Sequence, residues 1–531
     1  MSPQTRSLFG LAGIIILAMS ASLNEQVSSQ GLGNILGGLG ISHDPGTWFT
    51  TVYSAAEVVG MAMAPWLSVT FGMKRFVLIV ALLTVLSSFP IPFIHNLTLL
   101  YGMRILQGVS GGCTIPLLMS IALKVLAPPI RLYGLAAYAL TATCFPYLST
   151  SLAGLWTDLV SWRFIFFQSI PLGAMAMALL NFGLTDTEPK LERLKERSFH
   201  LSTVLIIITM PAIVVLLAQG DRLDWFNSPL ISVCALVAVV GLPLFVMNEI
   251  KRKEPFFRFS LLKRRNFLYS IVALQIFVML SISSSAIPSQ FLTAVAGYRP
   301  EQTYLVTAII ACLQLVFLPL MAIILNYEWV DSRIVSFLGL VCLISACCAN
   351  SFVSAEWNRN QFYFWQAVQG LAGAMIVMPI LMGATNAVMP QEGPYAAGMV
   401  NAPRAIMQVA GTWLVQLAFH WRGSLHSSRL TDWLGLHRYS LFQGNNPAWQ
   451  HPAPLTPTGQ TRTAGAVAAL AKQLHHQVTV LVIEDLFMII IMLAAFLLLW
   501  LLIVPVRAYP PRIALASPPP GPVTTPNTSD K

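Results

Sequence analysis

Fourteen stretches of mostly apolar residues run through this chain, each long enough to cross the roughly 30 Å hydrocarbon core of a bilayer as a helix. They lie near residues 8–29, 48–70, 76–94, 97–123, 131–155, 162–183, 201–219, 229–249, 267–293, 302–326, 334–353, 361–387, 397–419 and 484–505. Composition excludes the alternative of several soluble domains. Of 531 residues 56% are hydrophobic and 10% are charged, whereas a soluble domain carries about 25% charged residues. The surplus apolar surface must face lipid, so the chain is expected to be an all-α, multi-pass membrane protein. All seven cysteines fall in apolar stretches with no loop pairing and no metal-ligand spacing, which assigns them to packing. Arg6 followed by an apolar run without a small-residue cleavage site reads as a retained signal-anchor.

An even number of spans puts both termini on one side. Twenty of the 31 Lys and Arg residues sit in the loops and tails of that side, whereas the short opposite loops hold only Arg163, Arg222, Arg299 and Arg359. The positive-inside rule therefore predicts cytoplasmic termini in an inner (plasma) membrane. The net charge of +10 is then an orientation signal rather than a nucleic-acid surface. Trp48, Trp156, Trp162, Trp225 and Trp357 stand at the outer ends, as an interfacial belt would. Residues 506–531, which include Ser517-Pro518-Pro519-Pro520, read as a disordered cytoplasmic tail.

Two spans share a pattern. The fourth has Tyr101-x-x-Arg104-x-x-Gln107-Gly108-x-x-Gly111 with Pro116 beyond; the twelfth has Tyr363-x-x-Gln366-x-x-Gln369-Gly370-x-x-Gly373 with Pro379 beyond. Their separation by eight spans predicts a 6+2+6 organisation. Residues 1–183 form one six-helix half, 184–266 two extra linker helices with basic loops, and 267–505 a second half that includes an outer loop at 420–483. Parallel repeats of six helices characterise the major facilitator fold.

At this point the chain resembles the fourteen-helix drug:proton antiporter branch of the major facilitator superfamily. Trp48-x-x-Thr51-x-Tyr53, Arg104-x-x-Gln107-Gly108, Trp162-Arg163-Phe164 through Pro171-Leu172-Gly173, Asp224-Trp225-Phe226, Asn401-x-x-Arg404 and Asp485-x-Phe487 carry the resemblance in order along the chain. It departs in three places. The family's loop 2–3 motif, Gly-x-x-x-Asp-Arg-x-Gly-Arg-Arg/Lys, is here Pro65-Trp66-Leu67-Ser68-Val69-Thr70-Phe71-Gly72-Met73-Lys74-Arg75, without its acidic and first basic residues. The helix 5 motif survives only as Pro146 and Ala153-Gly154, and the usual Asp of helix 1 corresponds to Asn24 beside Glu25.

A charge near the bilayer centre costs at least about 2.5–3.5 kcal/mol, so deep charges single themselves out. Glu57 lies about 13 Å down helix 2 and Arg104 about 10 Å down helix 4, at 1.5 Å per residue; Glu25 is in the outer third of helix 1. A carboxyl out of water holds its proton more tightly and a nearby guanidinium loosens it. These three are expected to form the proton-coupling and substrate cavity, with Glu57 or Glu25 as carrier and Arg104 as partner. Gln107, Gly108, Gly111, Gly112 and Pro146 are expected to let helices approach closely. Lys74, Arg75, Asp331, Arg333, Asn401 and Arg404 are candidates for a cytoplasmic gate. Tyr53, Tyr147, Ser149 and Thr150 either line a cavity or satisfy their own helices.

No phosphate-binding Gly-x-x-x-x-Gly-Lys-Ser/Thr loop occurs, so no cofactor is expected and transport would be gradient-driven. Gly31, Gly33, Gly37, Gly38 and Gly40 read as a loose exit from helix 1. His420, His426, His437, His451, His475 and His476 crowd the last outer loop and its flanks without a tight metal spacing. Residues 464–482 can form an amphipathic helix leading into helix 14. By the resemblance, residues 420–483 would dock a periplasmic adaptor protein. The expected function is proton-coupled export of small, partly hydrophobic or toxic compounds by alternating access, not enzymatic catalysis. The alternative is a dedicated transporter of one natural metabolite, possibly a symporter.

Overall fold

The computed structural model describes residues 3–125, 131–186, 188–195, 197–252, 254–436, 455–456, 458, 460–461 and 463–510. The outer-loop residues 437–454 and the tail from 511, with the disorder expected there, lie outside the described residues.

Long apolar runs have no partner for their backbone polar groups except their own helix, and helices account for nearly all the structure. They are α1 (Pro3–Gln30), α2 (Leu32–Leu39), α3 (His43–Phe71), α4 (Met73–Ser88), α5 (Leu97–Val125), α6 (Arg131–Thr143), α7 (Phe145–Leu159), α8 (Phe164–Phe167) and α9 (Ser169–Gly183). There follow α10 (Arg197–Gln219), α11 (Pro229–Lys251), α12 (Arg265–Leu280), α13 (Ala286–Ala294), α14 (Tyr304–Ile324), α15 (Ser332–Asn350), α16 (Arg359–Asn386), α17 (Gly393–Leu436) and α18 (Ala464–Ile503). Among the described residues the only β pairing is one bridge between Leu455 and Thr461.

Twelve helical segments among the described residues are long and apolar enough to cross a membrane. The other two of the fourteen expected spans coincide with the α6–α7 pair and with the first half of α17, where Asn401, Arg404 and Gln408 dilute the apolar run. Several spans are interrupted among the described residues. Cys144 separates α6 from α7, because Pro146 in the first turn of α7 has no N–H to donate and its ring crowds the preceding turn. A 3-10 turn at Ser281–Ser284 separates α12 from α13, and Gln168 separates α8 from α9.

Two readings change. The glycine-rich segment after α1 is not a loose exit: Leu32–Leu39 forms a helix, buries Ile35, Leu36 and Leu39, and ends at Gly40. Gly40 has φ +67°, the left-handed cap that glycine adopts without strain. The segment 420–483 is also less of a loop than expected. Helix α17 continues to Leu436 and α18 begins at Ala464, so the amphipathic stretch is one continuous helix with the last span. At 1.5 Å per residue both helices reach roughly 60 Å, about twice the bilayer core, and both extend well beyond it.

Helices α1, α3, α4, α5, α7 and α9 pack among themselves, as do α12, α14, α15, α16, α17 and α18. Helices α10 and α11 pair with each other, and α10 rests on both α3 and α17. Leu236, Val239 and Met247 of α11 are exposed, as lipid-facing side chains would be.

Candidate functional site

The site starts from glycines. A Cβ on Gly108 would press into the Tyr53 carbonyl, one on Gly112 into the Glu57 carbonyl, and one on Gly60 into the Val109 carbonyl. Gly111 faces the Tyr53 hydroxyl. Small residues on both helices thus let α3 and α5 touch backbone to backbone, and that contact holds Tyr53 and Glu57 at fixed depth. Gly108, Gly111 and Gly112, expected to let helices approach closely, lie along this contact. Pro146 instead sets the break before α7.

Arg104 of α5 is 1% exposed. Its guanidinium donates to the carbonyls of Phe49 (3.2 Å) and Asn24 (3.4 Å) and to Oε1 of Gln107. It lies between the rings of Phe49 and Tyr53, 4.3 Å from each centroid. Gln107 continues the network by donating to the Ser88 hydroxyl at 2.7 Å, which also receives the Asn24 amide at 3.3 Å. Ser169 donates to Asn24 Oδ1 at 2.8 Å. Asn24, standing where the family has an acid, is therefore a junction among α1, α4 and α9.

Glu57 is buried on α3, and Glu25 is half-buried near the end of α1. Each lies within electrostatic reach of the other, of Arg104, and of Arg404. The three expected deep charges do share one neighbourhood, and a fourth joins them. Because α17 begins at Gly393 rather than near residue 397, Arg404 lies about 16 Å into its helix. Its guanidinium donates to the hydroxyl (3.3 Å) and carbonyl (2.8 Å) of Thr141 on α6. One turn further along α17, Gln408 donates to Glu25 at 2.6 Å. One turn before Arg404, Asn401 accepts the Tyr138 hydroxyl at 2.8 Å. Gln408 and Tyr138 were missed because neutral groups in a helix carry no charge penalty to flag them.

The second half repeats the scaffold without the charge. Arg104 donates to the carbonyl of Asn24 on α1; its counterpart Gln366 on α16 donates to the carbonyl of Ser284, at 3.2 Å, in the turn after α12. Gln369 accepts from Ser283 at 3.1 Å, and Gln314 donates to the Gly370 carbonyl at 2.7 Å. Tyr147 bonds Ser284 at 2.5 Å beside a small cavity of about 20 Å³ that Gln314 and Gln369 also line. Ser149 and Thr150 bond back to the carbonyls of Phe145 and Pro146 and satisfy their own helix.

The remaining expected gate residues lie elsewhere. Asp331 caps α15 through the Arg333 backbone N–H at 2.9 Å and pairs with that residue's guanidinium at 2.8 Å. Burial opposes ionisation of Asp331, but these bonds and the Arg333 charge outweigh it and hold its carboxyl below the usual range. Lys74 is half-buried and Arg75 exposed at the start of α4.

Comparison with known proteins agrees with this architecture. The family model described as Major Facilitator Superfamily matches residues 9–412. The multidrug export protein EmrB of Escherichia coli strain K12 is 25% identical over 79% of this chain and 82% of its own. The fatty acid resistance protein FarB of Neisseria gonorrhoeae is also 25% identical, over 79% and 82%. Among solved structures, the human organic anion transporter MFSD10 superposes with a TM-score of 0.54 at 15% identity, covering 93% of this chain and all of that one. That likeness concerns the fold alone.

Proposed function

The chain belongs to the major facilitator superfamily, and from that premise we propose that it is a proton-coupled exporter of small, partly hydrophobic or toxic compounds. It works by alternating access between the halves 1–183 and 267–505. The observation that carries this reading is the cluster of Glu25, Glu57, Arg104 and Arg404, contributed by α1, α3 and α5 from the first half and α17 from the second, with Gln408 of α17 on the Glu25 carboxylate. Carboxyls flanked by guanidiniums from both halves bind a proton with an affinity that depends on how the halves sit. Protonation weakens the attraction across the interface, and rearrangement changes proton affinity in return, which is the reciprocity that coupling requires. Export of apolar or toxic compounds is supported by the likeness to EmrB and FarB. Cytoplasmic termini are supported by the 20 basic residues on that side.

The test uses energised everted vesicles and a compound panel. Wild type dissipates the imposed pH gradient on substrate addition and accumulates substrate. Glu57→Gln and Glu25→Gln are expected to lose at least about tenfold of that dissipation, one proton-transfer group being worth 10²–10⁴ in comparable chemistry. Unchanged dissipation in both variants removes this mechanism, and inward accumulation in right-side-out vesicles replaces export with uptake.

The outer extensions of α17 and α18 are proposed to dock a periplasmic adaptor protein. They are braced by Arg422 and His426 on Asp485, at 2.7 and 2.6 Å, and enclose a groove of about 440 Å³ lined by Leu430, Trp433, Leu470 and Leu474. Pull-down with and without residues 420–483 decides this.

A further inference from the structure

The family's loop 2–3 motif places an acid at position 69, where this chain has Val69 followed by Thr70. A negative charge nevertheless reaches two side chains that line one cavity with Val69. Glu254, in the strap between α11 and α12, puts one carboxylate oxygen on Nη2 of Arg193 at 2.6 Å, and the Tyr395 hydroxyl of α17 donates to the same oxygen. Its backbone carbonyl accepts the indole N–H of Trp66, at 3.2 Å, from the end of α3. Trp66 is 2% exposed and stacks on Phe199 with centroids 4.5 Å apart, so it is a firm anchor. One residue thereby ties α3 and the segment after α9 to α17.

The residues flanking Glu254 are tied down through Glu249. Glu249, at the end of α11, has a side chain with no exposure and accepts from the backbone N–H groups of Phe256 and Phe257, from Ser202 and from Arg252. Beneath the strap α3 and α17 are in close contact. A Cβ on Gly398 would lie 3.1 Å from the Phe257 ring and 3.6 Å from the Ala62 carbonyl. Arg193 and Tyr395, the two side chains on the Glu254 carboxylate, line a cavity of about 350 Å³ together with Trp66, Val69 and Lys190, so an acid at position 69 would share that cavity with Arg193.

We propose that Glu254 is a gating residue of the transport cycle: a linker-borne acid that latches α3 to α17 on the face of the basic loops. The extra helix pair thereby acquires a role, since α10 and α11 hold the strap in place. Opening toward this face requires Glu254 to leave Arg193 and Tyr395. The proposal rests on the alternating-access reading but not on substrate, proton coupling or direction of transport.

The test follows accessibility rather than transport. With the exposed Cys312 and Cys348 replaced by Ala, a reporter cysteine is placed at Ala62, 1% exposed beneath the strap. Everted vesicles are then treated with a membrane-impermeant maleimide. Glu254→Gln is expected to speed labelling about fivefold, the scale of a partly exposed charge pair. Arg193→Gln should do the same, and Val69→Asp added to Glu254→Gln should return labelling to the slow rate. A labelling rate unchanged in both single variants overturns the latch, as does failure of Val69→Asp to slow it. A variant that fails to fold is recognised by its melting temperature, and the Arg193 variant then reads the same contact from its other side. If labelling responds while no compound is transported, the latch stands and the exporter reading fails.

Discussion

Arg104 shows how much a single side chain is asked to do in this fold. It is a fixed charge, nearly unexposed, with two backbone carbonyls, an amide oxygen and two aromatic faces around it. Removing one partner from a buried set leaves the others unsatisfied, at about 1–3 kcal/mol for each group. Arg104→Gln is therefore expected to lower the melting temperature by several degrees and to abolish compound-driven gradient dissipation. Arg104→Lys keeps the charge but cannot serve three acceptors from one planar fork, so it should recover some stability and little transport. Full dissipation in Arg104→Gln would make the residue a structural anchor only. The charge was legible in the sequence because a charge in an apolar run has few innocent explanations. Its partners were not, since Phe49 and Asn24 lie 55 and 80 residues away. Arg404, expected among the cytoplasmic gate residues, lies deeper for a smaller reason: α17 begins at Gly393, four residues before the expected start.

Helix contacts turn those positions into geometry. Gly112 seats its backbone on the Glu57 carbonyl, and a methyl group there has nowhere to go. Gly112→Ala should force α5 away from α3 and destabilise by about 1–3 kcal/mol, the usual cost of overpacking. Gly102→Ala, on the same helix with open space at its Cβ, should be neutral or slightly stabilising by helix propensity. Melting both variants separates local packing from a general intolerance of α5. Equal melting temperatures would show that the helices shift without penalty. The element scale is also where sequence reading worked best, because hydrophobic run length reports directly on bilayer thickness. The repeat was legible from Gln-Gly-x-x-Gly, and Arg104 and Gln366 occupy equivalent places by donating to carbonyls of α1 and of the turn after α12. The breaks at Cys144 and Ser281–Ser284 escaped because an interrupted apolar run has the same hydropathy as a straight one. The outer half of α17 escaped because a polar helix outside lipid looks like a loop to a hydropathy count, whereas the amphipathic pattern of 464–482 announced the outer half of α18.

On the basic-loop face the strap before α12 is fastened to the second half through a carboxylate held by arginines, and this makes the assembly sensitive to pH from outside the membrane-spanning segments. Glu392, between α16 and α17, receives Arg264 at 2.8 and 3.1 Å and Arg258 at 3.3 Å, so it fastens the strap and the start of α12 to the start of α17. Burial acts to raise its carboxyl, but the Arg264 hydrogen bonds, the Met389 backbone N–H and the charges of Arg264 and Arg258 outweigh that effect and hold it below the usual 4.5. A group whose pKa is lower in the folded chain stabilises the fold above its unfolded value, and that contribution fades as pH falls through the folded value. Glu392→Gln should therefore melt below wild type at neutral pH, with the gap closing as the pH is taken below 4.5. Glu254→Gln supplies the contrast, because its effect is expected on the accessibility of Ala62 more than on melting. A gap for Glu392→Gln that stays constant across the acid range would mean that the side chain acts through its shape and not its charge. A gap that closes identifies Glu392 as a charge-held brace, fixed in place while the neighbouring contact at Glu254 opens and shuts.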